Sequence, residues 1–162
     1  MTSPVNRVES LAEELELETM LLGRHLIPLR RPHADDDRVL ERSGYTLLSR
    51  IRAQGLMSIN ELSEALRLDV STLNRQTAAL RKSGYLERVA DPEGGIARKF
   101  RVTQPGIEQL EADRRANTNG LVQILSHWPE ADVDQFVTLL RRFNSDIEAR
   151  GGRQPWPRNP SD

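Results

Sequence analysis

Apolar residues recur along most of the chain at the three- and four-residue spacing of amphipathic helices. A first helix is predicted from about Pro4 to Pro28 or Pro32, and its wide apolar surface indicates a partner subunit. Pro129 separates a predicted fifth helix from a sixth, whose apolar stripe is regular: Val133, Phe136, Val137, Leu140, Phe143 and Ile147. Valine, isoleucine and aromatic residues are scarce, which argues against a large sheet. The pattern therefore predicts a mainly α protein.

A second helix is predicted between the acidic run Asp35–Asp37, which suits the positive end of a helix dipole, and Gly55. Its inward residues include Leu40 and Leu47. A short third helix follows, because Ser58 and Glu61 have the spacing of a capping box.

Asp69 is the candidate N-cap of a fourth helix, which runs to about Ser83 and is closed by Gly84. Its helical period predicts a buried stripe of Val70, Leu73, Thr77 and Leu80. Four polar residues fall outside that stripe and crowd the N-terminal half of the helix: Ser71, Thr72, Asn74 and Arg75. Arginine can bond bidentately to guanine, asparagine to adenine, and serine or threonine to a base or a phosphate. The helix pair therefore resembles a helix-turn-helix whose second helix reads DNA.

A two-stranded ribbon is predicted after this pair. Its first strand covers residues 85–90, a Gly-rich turn covers 91–95, and the return strand covers 96–102. Thr103 then caps the fifth helix. A helix pair followed by a hairpin presents one surface to each kind of DNA groove.

Charge and composition refine this picture. The 162-residue chain has a net charge of −1, yet residues 67–101 hold eight basic and four acidic residues, a local charge of +4 that leaves −5 elsewhere. Cysteine is absent, which excludes disulfides and Cys-ligated metals. No apolar run approaches about 20 residues, so we expect no membrane span and a cytoplasmic location.

The sequence contains no motif that indicates catalysis or the binding of a metal or cofactor. His25, His33 and His127 lack metal-ligand spacing, and no nucleophile elbow is present. Gly94 and Gly95 are not a phosphate loop, because no Lys-Ser/Thr follows them. We expect no metal, no cofactor and no enzymatic activity.

The run SINELSEALRLDVSTLNRQTAALRKSGYLERVADPEGG, followed by FRVTQPG, resembles the winged helix-turn-helix core of MarR-type transcriptional regulators. The segment ERSGYTLLSRI and Trp128 fit as well, and the resemblance covers about residues 5–150. It implies a homodimer with two recognition helices on a pseudo-palindromic operator, regulated in many members by a small ligand that binds between the dimerisation helices and the second helix. It implies these parts: an N-terminal dimerisation helix (1–34), a DNA-binding lobe (35–104) and C-terminal dimerisation helices (105–150). The Gly/Pro-rich residues 151–162 are predicted to be a disordered tail.

The ribbon departs from the family pattern at its tip. Family wings commonly carry an Asp followed by Arg residues after the Asp-Pro turn, whereas Gly94, Gly95 and Ile96 follow Glu93 here. The acid that braces the wing and the arginines that enter the minor groove are therefore missing at those places. Residues 98 and 99, an arginine and a lysine, are the expected substitutes.

The sequence therefore predicts a homodimeric, sequence-specific regulator of transcription that binds double-stranded DNA, most simply a ligand-responsive repressor. The predicted DNA-binding residues are Ser71, Thr72, Asn74 and Arg75 on the recognition helix, Ser58 and Asn60 at the start of the third helix, and Arg98 and Lys99 on the wing. The sequence assigns no ligand-contacting residue. The alternative is a winged-helix protein-interaction module without specific DNA binding, which the altered wing and the net acidity motivate.

Overall fold

The computed structural model describes residues 4–26 and 40–158. Residues 1–39 and 40–162 form two compact units. In the first unit, helix α1 spans Pro4–Leu26. Several large apolar side chains on α1 are about half exposed, among them Leu11 and Leu15. The predicted helix end near Pro28 and the predicted helix start at Asp35–Asp37 lie outside the described residues.

The second unit is mainly helical with one small antiparallel sheet, as predicted. Its elements in chain order are α2 (Arg42–Gln54), β1 (Met57–Ser58), α3 (Ile59–Leu66), α4 (Val70–Lys82), β2 (Leu86–Val89), β3 (Lys99–Val102), α5 (Gln104–Leu125) and α6 (Glu130–Arg150). The sheet order is β1-β3-β2, with Met57 opposite Phe100 on one side of β3 and Leu86 opposite Val102 on the other. Strand β1 is absent from the sequence prediction.

A single hydrophobic core joins α2, the helix pair α3–α4 and the sheet. Its most buried members are Leu47, Leu48, Ile51, Met57, Leu62, Leu73 and Phe100. Helix α4 contributes Leu73, Thr77 and Leu80 to buried positions, as its period predicts. The prediction is wrong for Val70, the first residue of α4, which is 40% exposed. The core therefore holds α4 from Leu73 to Leu80.

The start of α2 also differs from the prediction. Leu40 is buried but not helical, and its N–H donates to Oδ2 of Asp113 on α5 at 3.0 Å. Helix α2 begins only at Arg42, after an N-cap residue, Glu41, whose side chain makes no capping hydrogen bond. The predicted closing residue is confirmed, because the N–H of Gly55 donates to the carbonyl of Ile51.

Residues 151–158, which we call the C-terminal strap, run back from the end of α6 along that helix. The backbone N–H groups of Arg153 and Trp156 donate to the Glu148 carbonyl and to its Oε1. Arg158 donates to Oγ of Ser145 at 2.7 Å. Composition predicts disorder from residue 151 onward, whereas the strap is held by these bonds; residues 159–162 lie outside the described residues.

Candidate DNA-binding surface and effector cavity

The start of α3 is fixed by the capping box that the sequence predicts. The N–H of Glu61 donates to Oγ of Ser58 at 3.3 Å, and the N–H of Ser58 donates to Oε2 of Glu61 at 2.6 Å. That backbone hydrogen bond is the main reason why the pKa of the Glu61 carboxyl lies below its usual value. Ser58 is buried, which argues against direct contact with DNA, whereas Asn60 is exposed on the first turn of α3.

The turn between α3 and α4 depends on one residue in an unusual conformation. Arg67 has a φ of 53° and is the C-cap of α3. It is the only non-glycine residue with positive φ in the described part of the chain. Oγ of Ser63 donates to the carbonyl of Leu68 at 2.7 Å and closes the turn. Asp69 occupies the N-cap position of α4, but its side chain makes no capping hydrogen bond. The N-terminus of α4 is therefore left without a side-chain cap.

The four polar residues at the start of α4, the reading quartet, project away from the buried stripe. Ser71, Asn74 and Arg75 are exposed, and Thr72 is half-buried. Within residues 4–26 and 40–158, the side chains of the reading quartet make no hydrogen bond or ion pair. Their donors and acceptors are therefore available to a partner. An uncapped helix N-terminus beside them favours an anionic partner.

The wing, residues 85–102, is braced at the loop end of its two long strands by a lysine between two carboxylates. Nζ of Lys99 lies 3.6 Å from Oδ1 of Asp91 and 3.7 Å from Oε1 of Glu61 on α3. Its side chain is only 16% exposed. The bracing acid that the sequence lacks at positions 94–96 is thus supplied by Asp91, earlier in the turn. Lys99 connects the wing to α3, and these contacts argue against a direct contact with DNA.

The tip of the wing carries little charge. Ile96 is fully exposed, and Asp91 shapes the turn by accepting the N–H of Glu93 at 3.1 Å. A Cβ at Gly95 would displace the Asp91 carboxylate, which shapes this turn. Arg98 is exposed and has no ion pair or hydrogen bond in the described ranges, so its charge is available to a partner.

The wing's remaining charges are used within the sheet. Nε of Arg101 donates to Oε1 of Glu87 at 2.8 Å across the two long strands. The guanidinium of Arg88 lies over the ring of Phe100 at 5.5 Å. These contacts stiffen the two-stranded part of the ribbon.

A cavity of about 750 Å³ lies between α2, α5 and the C-terminal strap. Its charged lining consists of Arg52, Glu111, Arg114 and Arg158. Arg158 is paired with Glu148, Nη2 to Oε2 at 3.7 Å, so Arg52 and Arg114 against Glu111 leave the lining with a small net positive charge. Its remaining wall includes Tyr45, Ile107, Leu110 and Trp156.

No three His, Cys, Asp or Glu side chains converge on a metal site among the residues that the structure describes. None of the described helices combines the length and hydropathy that crossing a membrane requires.

Two functional candidates escape sequence reasoning. Arg50 is fully buried in α2, and Arg67 bonds to the C-terminal strap through its side chain. The local sequence around each gives no signal, because their partners lie more than 80 positions away along the chain.

A helix pair joined by a tight turn, a recognition helix with a polar start and a hairpin beside it define a winged helix-turn-helix DNA-binding protein. The MarR family model matches residues 40–95. The chain is 37% identical over 105 residues to the uncharacterised HTH-type transcriptional regulator YxaD of Bacillus subtilis (strain 168), covering 65% of this chain and 73% of the relative. It is 30% identical over 115 residues to the HTH-type regulator ML2140 of Mycobacterium leprae (strain TN), covering 71% and 77%. The protein belongs to the MarR family and is a DNA-binding transcriptional regulator, not an enzyme.

Solved structures agree on the fold. A MarR family protein from Bacillus stearothermophilus superposes with a TM-score of 0.72 at 16% identity, covering 90% of this chain and 99% of that chain. BpsR of Bordetella bronchiseptica superposes with a TM-score of 0.64 at 17% identity, covering 80% and 98%, and its DNA binding is regulated by 6-hydroxynicotinic acid.

Proposed function

We propose that this regulator binds a specific, pseudo-palindromic sequence of double-stranded DNA through its reading quartet. The observation that carries the proposal is the quartet itself, whose side chains make no hydrogen bond or ion pair within the described chain and which lies beside the buried stripe of α4. Arg75 and Asn74 have the bidentate chemistry that distinguishes guanine and adenine. Ser71 and Thr72 lie nearest the helix N-terminus and suit a base edge or a phosphate. Asn60 at the start of α3 and Arg98 on the wing add contacts to the DNA phosphate backbone on either side of the recognition helix.

Ser58 and Lys99 have a different role in this proposal. Ser58 is buried within its capping box, and Lys99 is held by two carboxylates. Both therefore position α3 and the wing for DNA instead of touching it.

The acting species in this proposal is a homodimer. No residue of α6 is buried within the described chain, and its apolar side chains are partly exposed: Phe136, Val137, Leu139, Phe143 and Ile147. Helix α5 adds Leu121 and Ile124, and α1 carries its own exposed apolar stripe. A second copy of the chain supplies matching apolar faces and places two copies of α4 about one helical turn of DNA apart, ~10 bp.

The protein is proposed to act in the cytoplasm as a repressor that responds to a small anionic effector. The cavity supports this class of ligand, since Arg52 and Arg114 outnumber Glu111 in its lining, while Arg158 is paired with Glu148. The regulation of BpsR by a pyridine carboxylate, 6-hydroxynicotinic acid, is consistent with the same chemistry. An effector that binds one conformer more tightly than the other shifts the equilibrium between them by the difference in its binding free energy. If the two conformers differ in the spacing of the recognition helices, the effector changes operator affinity.

A fluorescence anisotropy titration on the DNA that flanks the protein's own gene tests specific binding. At two salt concentrations, we expect a steep loss of affinity as salt rises, because several phosphate contacts release counterions. A shuffled duplex of the same length and composition serves as the control. Equal affinity for both duplexes would refute specific recognition.

Sedimentation velocity tests the dimer. We expect Phe143→Asp to shift the protein to monomers, because it places a charge in the apolar stripe of α6. Ile96→Asp introduces the same charge at the fully exposed wing tip and should leave the dimer intact. A wild-type monomer at micromolar concentration would refute the proposed assembly.

The second candidate, a winged-helix protein-interaction module without specific DNA binding, is favoured by the fully exposed apolar Ile96 at a tip that carries little charge. It predicts almost no salt dependence and no preference between the two duplexes in the same titration.

A further inference from the structure

The C-terminal strap covers a buried cation in α2. Arg50 is 2% exposed, and its guanidinium donates to the Pro155 carbonyl at 3.1 Å and to Oε1 of Gln154 at 3.2 Å. The Trp156 ring lies 5.3 Å from the guanidinium carbon. Burial lowers the pKa of Arg50 despite the favourable charge of Glu148. Without the strap, this guanidinium would lose its two hydrogen bonds and its ring contact together, which is costly for a buried charge.

The other end of the strap contacts the turn of the helix-turn-helix. Nη2 of Arg67 donates to the carbonyl of Gly152 at 2.7 Å and to that of Gly151 at 3.1 Å. Arg67 is the residue whose backbone adopts the left-handed conformation, which residues other than glycine rarely adopt. A strained backbone position is stable only when its surroundings hold it in place. The strap supplies part of that support.

We propose that the C-terminal strap is a positioning element that fixes the α3–α4 turn against α2 and the end of α6, and thereby sets operator affinity. The proposal rests on the proposed function, since the position of α4 matters only if α4 reads DNA. One segment holds both contacts, so a change at its Trp156 end reaches its Arg67 end through the strap.

The same segment also borders the effector cavity, because Trp156, Pro157 and Arg158 form part of the cavity wall. The strap is thus the described element that contacts both the cavity and the α3–α4 turn. A change in the cavity wall therefore has a route of contacts to the α3–α4 turn, which precedes the recognition helix.

A double-mutant cycle on operator affinity tests the proposal. Arg67→Gly removes the side-chain bonds to the strap while keeping a residue that tolerates positive φ. Trp156→Ala removes the ring contact at the far end of the strap. We expect each single variant to weaken operator binding by about three- to thirtyfold, and the double variant to bind no more weakly than the weaker single variant. Arg153→Ala is the matched control in the same segment, because its backbone bond to Glu148 remains, and we expect its affinity to stay within about twofold of the wild type.

Hydrogen–deuterium exchange supplies a readout that does not depend on DNA. In Trp156→Ala, the amides of residues 67–70 should exchange faster than in the wild type, although the substitution lies at the other end of the strap. Unchanged exchange at these amides overturns the proposal. So does a double variant whose losses multiply, because the two ends then act independently.

The salt dependence separates the strap from a direct contact. Loss of positioning leaves the number of phosphate contacts, and so the salt slope, unchanged in Arg67→Gly. A slope that falls by about one would instead identify Arg67 as a phosphate contact and overturn the positioning role. A wild-type protein that binds neither duplex refutes the proposed DNA-binding function, and the strap's proposed role in operator affinity with it. If the wild type binds the operator and the losses of the two single variants multiply in the double variant, the positioning role of the strap is refuted and the DNA-binding function stands.

Discussion

The wing and α5 are joined at a point where only glycine fits. The N–H of Thr103 donates to the carbonyl of Tyr85 at 3.1 Å, and Oγ1 of Thr103 donates to the carbonyl of Gly84 at 2.6 Å. Gly106, in the first turn of α5, packs against the same Tyr85 carbonyl. A Cβ at position 106 would lie 2.2 Å from that oxygen and 3.0 Å from Cγ1 of Val102. We therefore predict that Gly106→Ala destabilises the protein.

The size of the effect follows from three contributions. Ordinary contact with the Cβ would require the Tyr85 carbonyl to move by about 1 Å, and overpacking of this kind typically costs about 1–3 kcal/mol. The movement would also weaken the hydrogen bond from Thr103, worth about 0.5–1.5 kcal/mol. The higher helix propensity of alanine compared with glycine offsets about 0.5–1 kcal/mol of this loss. Together these contributions give an expected loss for Gly106→Ala of about 2 kcal/mol in the free energy of unfolding, within a range of about 0.5–4 kcal/mol.

Urea unfolding, followed by far-UV circular dichroism at one fixed protein concentration, measures this loss. Gly120→Ala is the control in the same helix, because a Cβ there meets no atom within 4 Å. We expect Gly120→Ala to be neutral or to stabilise the protein by up to about 1 kcal/mol. If Gly106→Ala is as stable as Gly120→Ala, the close approach between α5 and the wing does not exist in solution.

The other predictions concern DNA binding and pH. Arg75→Ala should weaken operator binding by about 1–3 kcal/mol and relax preference at one base position in anisotropy titrations with single-base variants; a uniform loss would make it a phosphate contact. Arg98→Ala should lower the salt slope by about one, whereas Lys99→Met should leave the slope unchanged and weaken affinity through a looser wing; the opposite result would reverse their roles. The folded-state pKa of Glu61 is depressed, so its stabilising contribution is present above its unfolded pKa and is lost as pH falls through its folded pKa, below the usual 4.5. Unfolding curves of Glu61→Gln should therefore lack this part of the acid destabilisation, and an unaltered pH profile would contradict the capping-box explanation.

Features encoded by neighbouring residues are readable from the sequence. The capping box of Ser58 and Glu61 needs only two residues three positions apart, and the structure contains both of its hydrogen bonds. Gly84 has the predicted positive φ, and Thr103 caps α5 by accepting the N–H of Gly106. The buried positions of α4 follow from its helical period, with Val70 as the exception at the helix end. The exposure of the reading quartet follows from the same period, while its contact with DNA stays a prediction.

Features that depend on distant partners are not readable in this way. Strand β1 has only two residues and forms because Met57 meets Phe100, which is far along the chain. Lys99 reads as a free wing cation until the fold brings Asp91 and Glu61 to it. The strap has a composition typical of disorder, and its order comes from contacts such as the one between Arg50 and residues 154–155.

Helix α6 buries none of its residues within the described chain. If its apolar stripe is covered only by a second copy, the concentration of the DNA-binding species rises with the square of total protein wherever monomers predominate. Doubling the gene dosage would then raise operator occupancy up to fourfold in the dilute regime. Such a regulator would respond to its own synthesis more steeply than a monomeric one, before any effector binds.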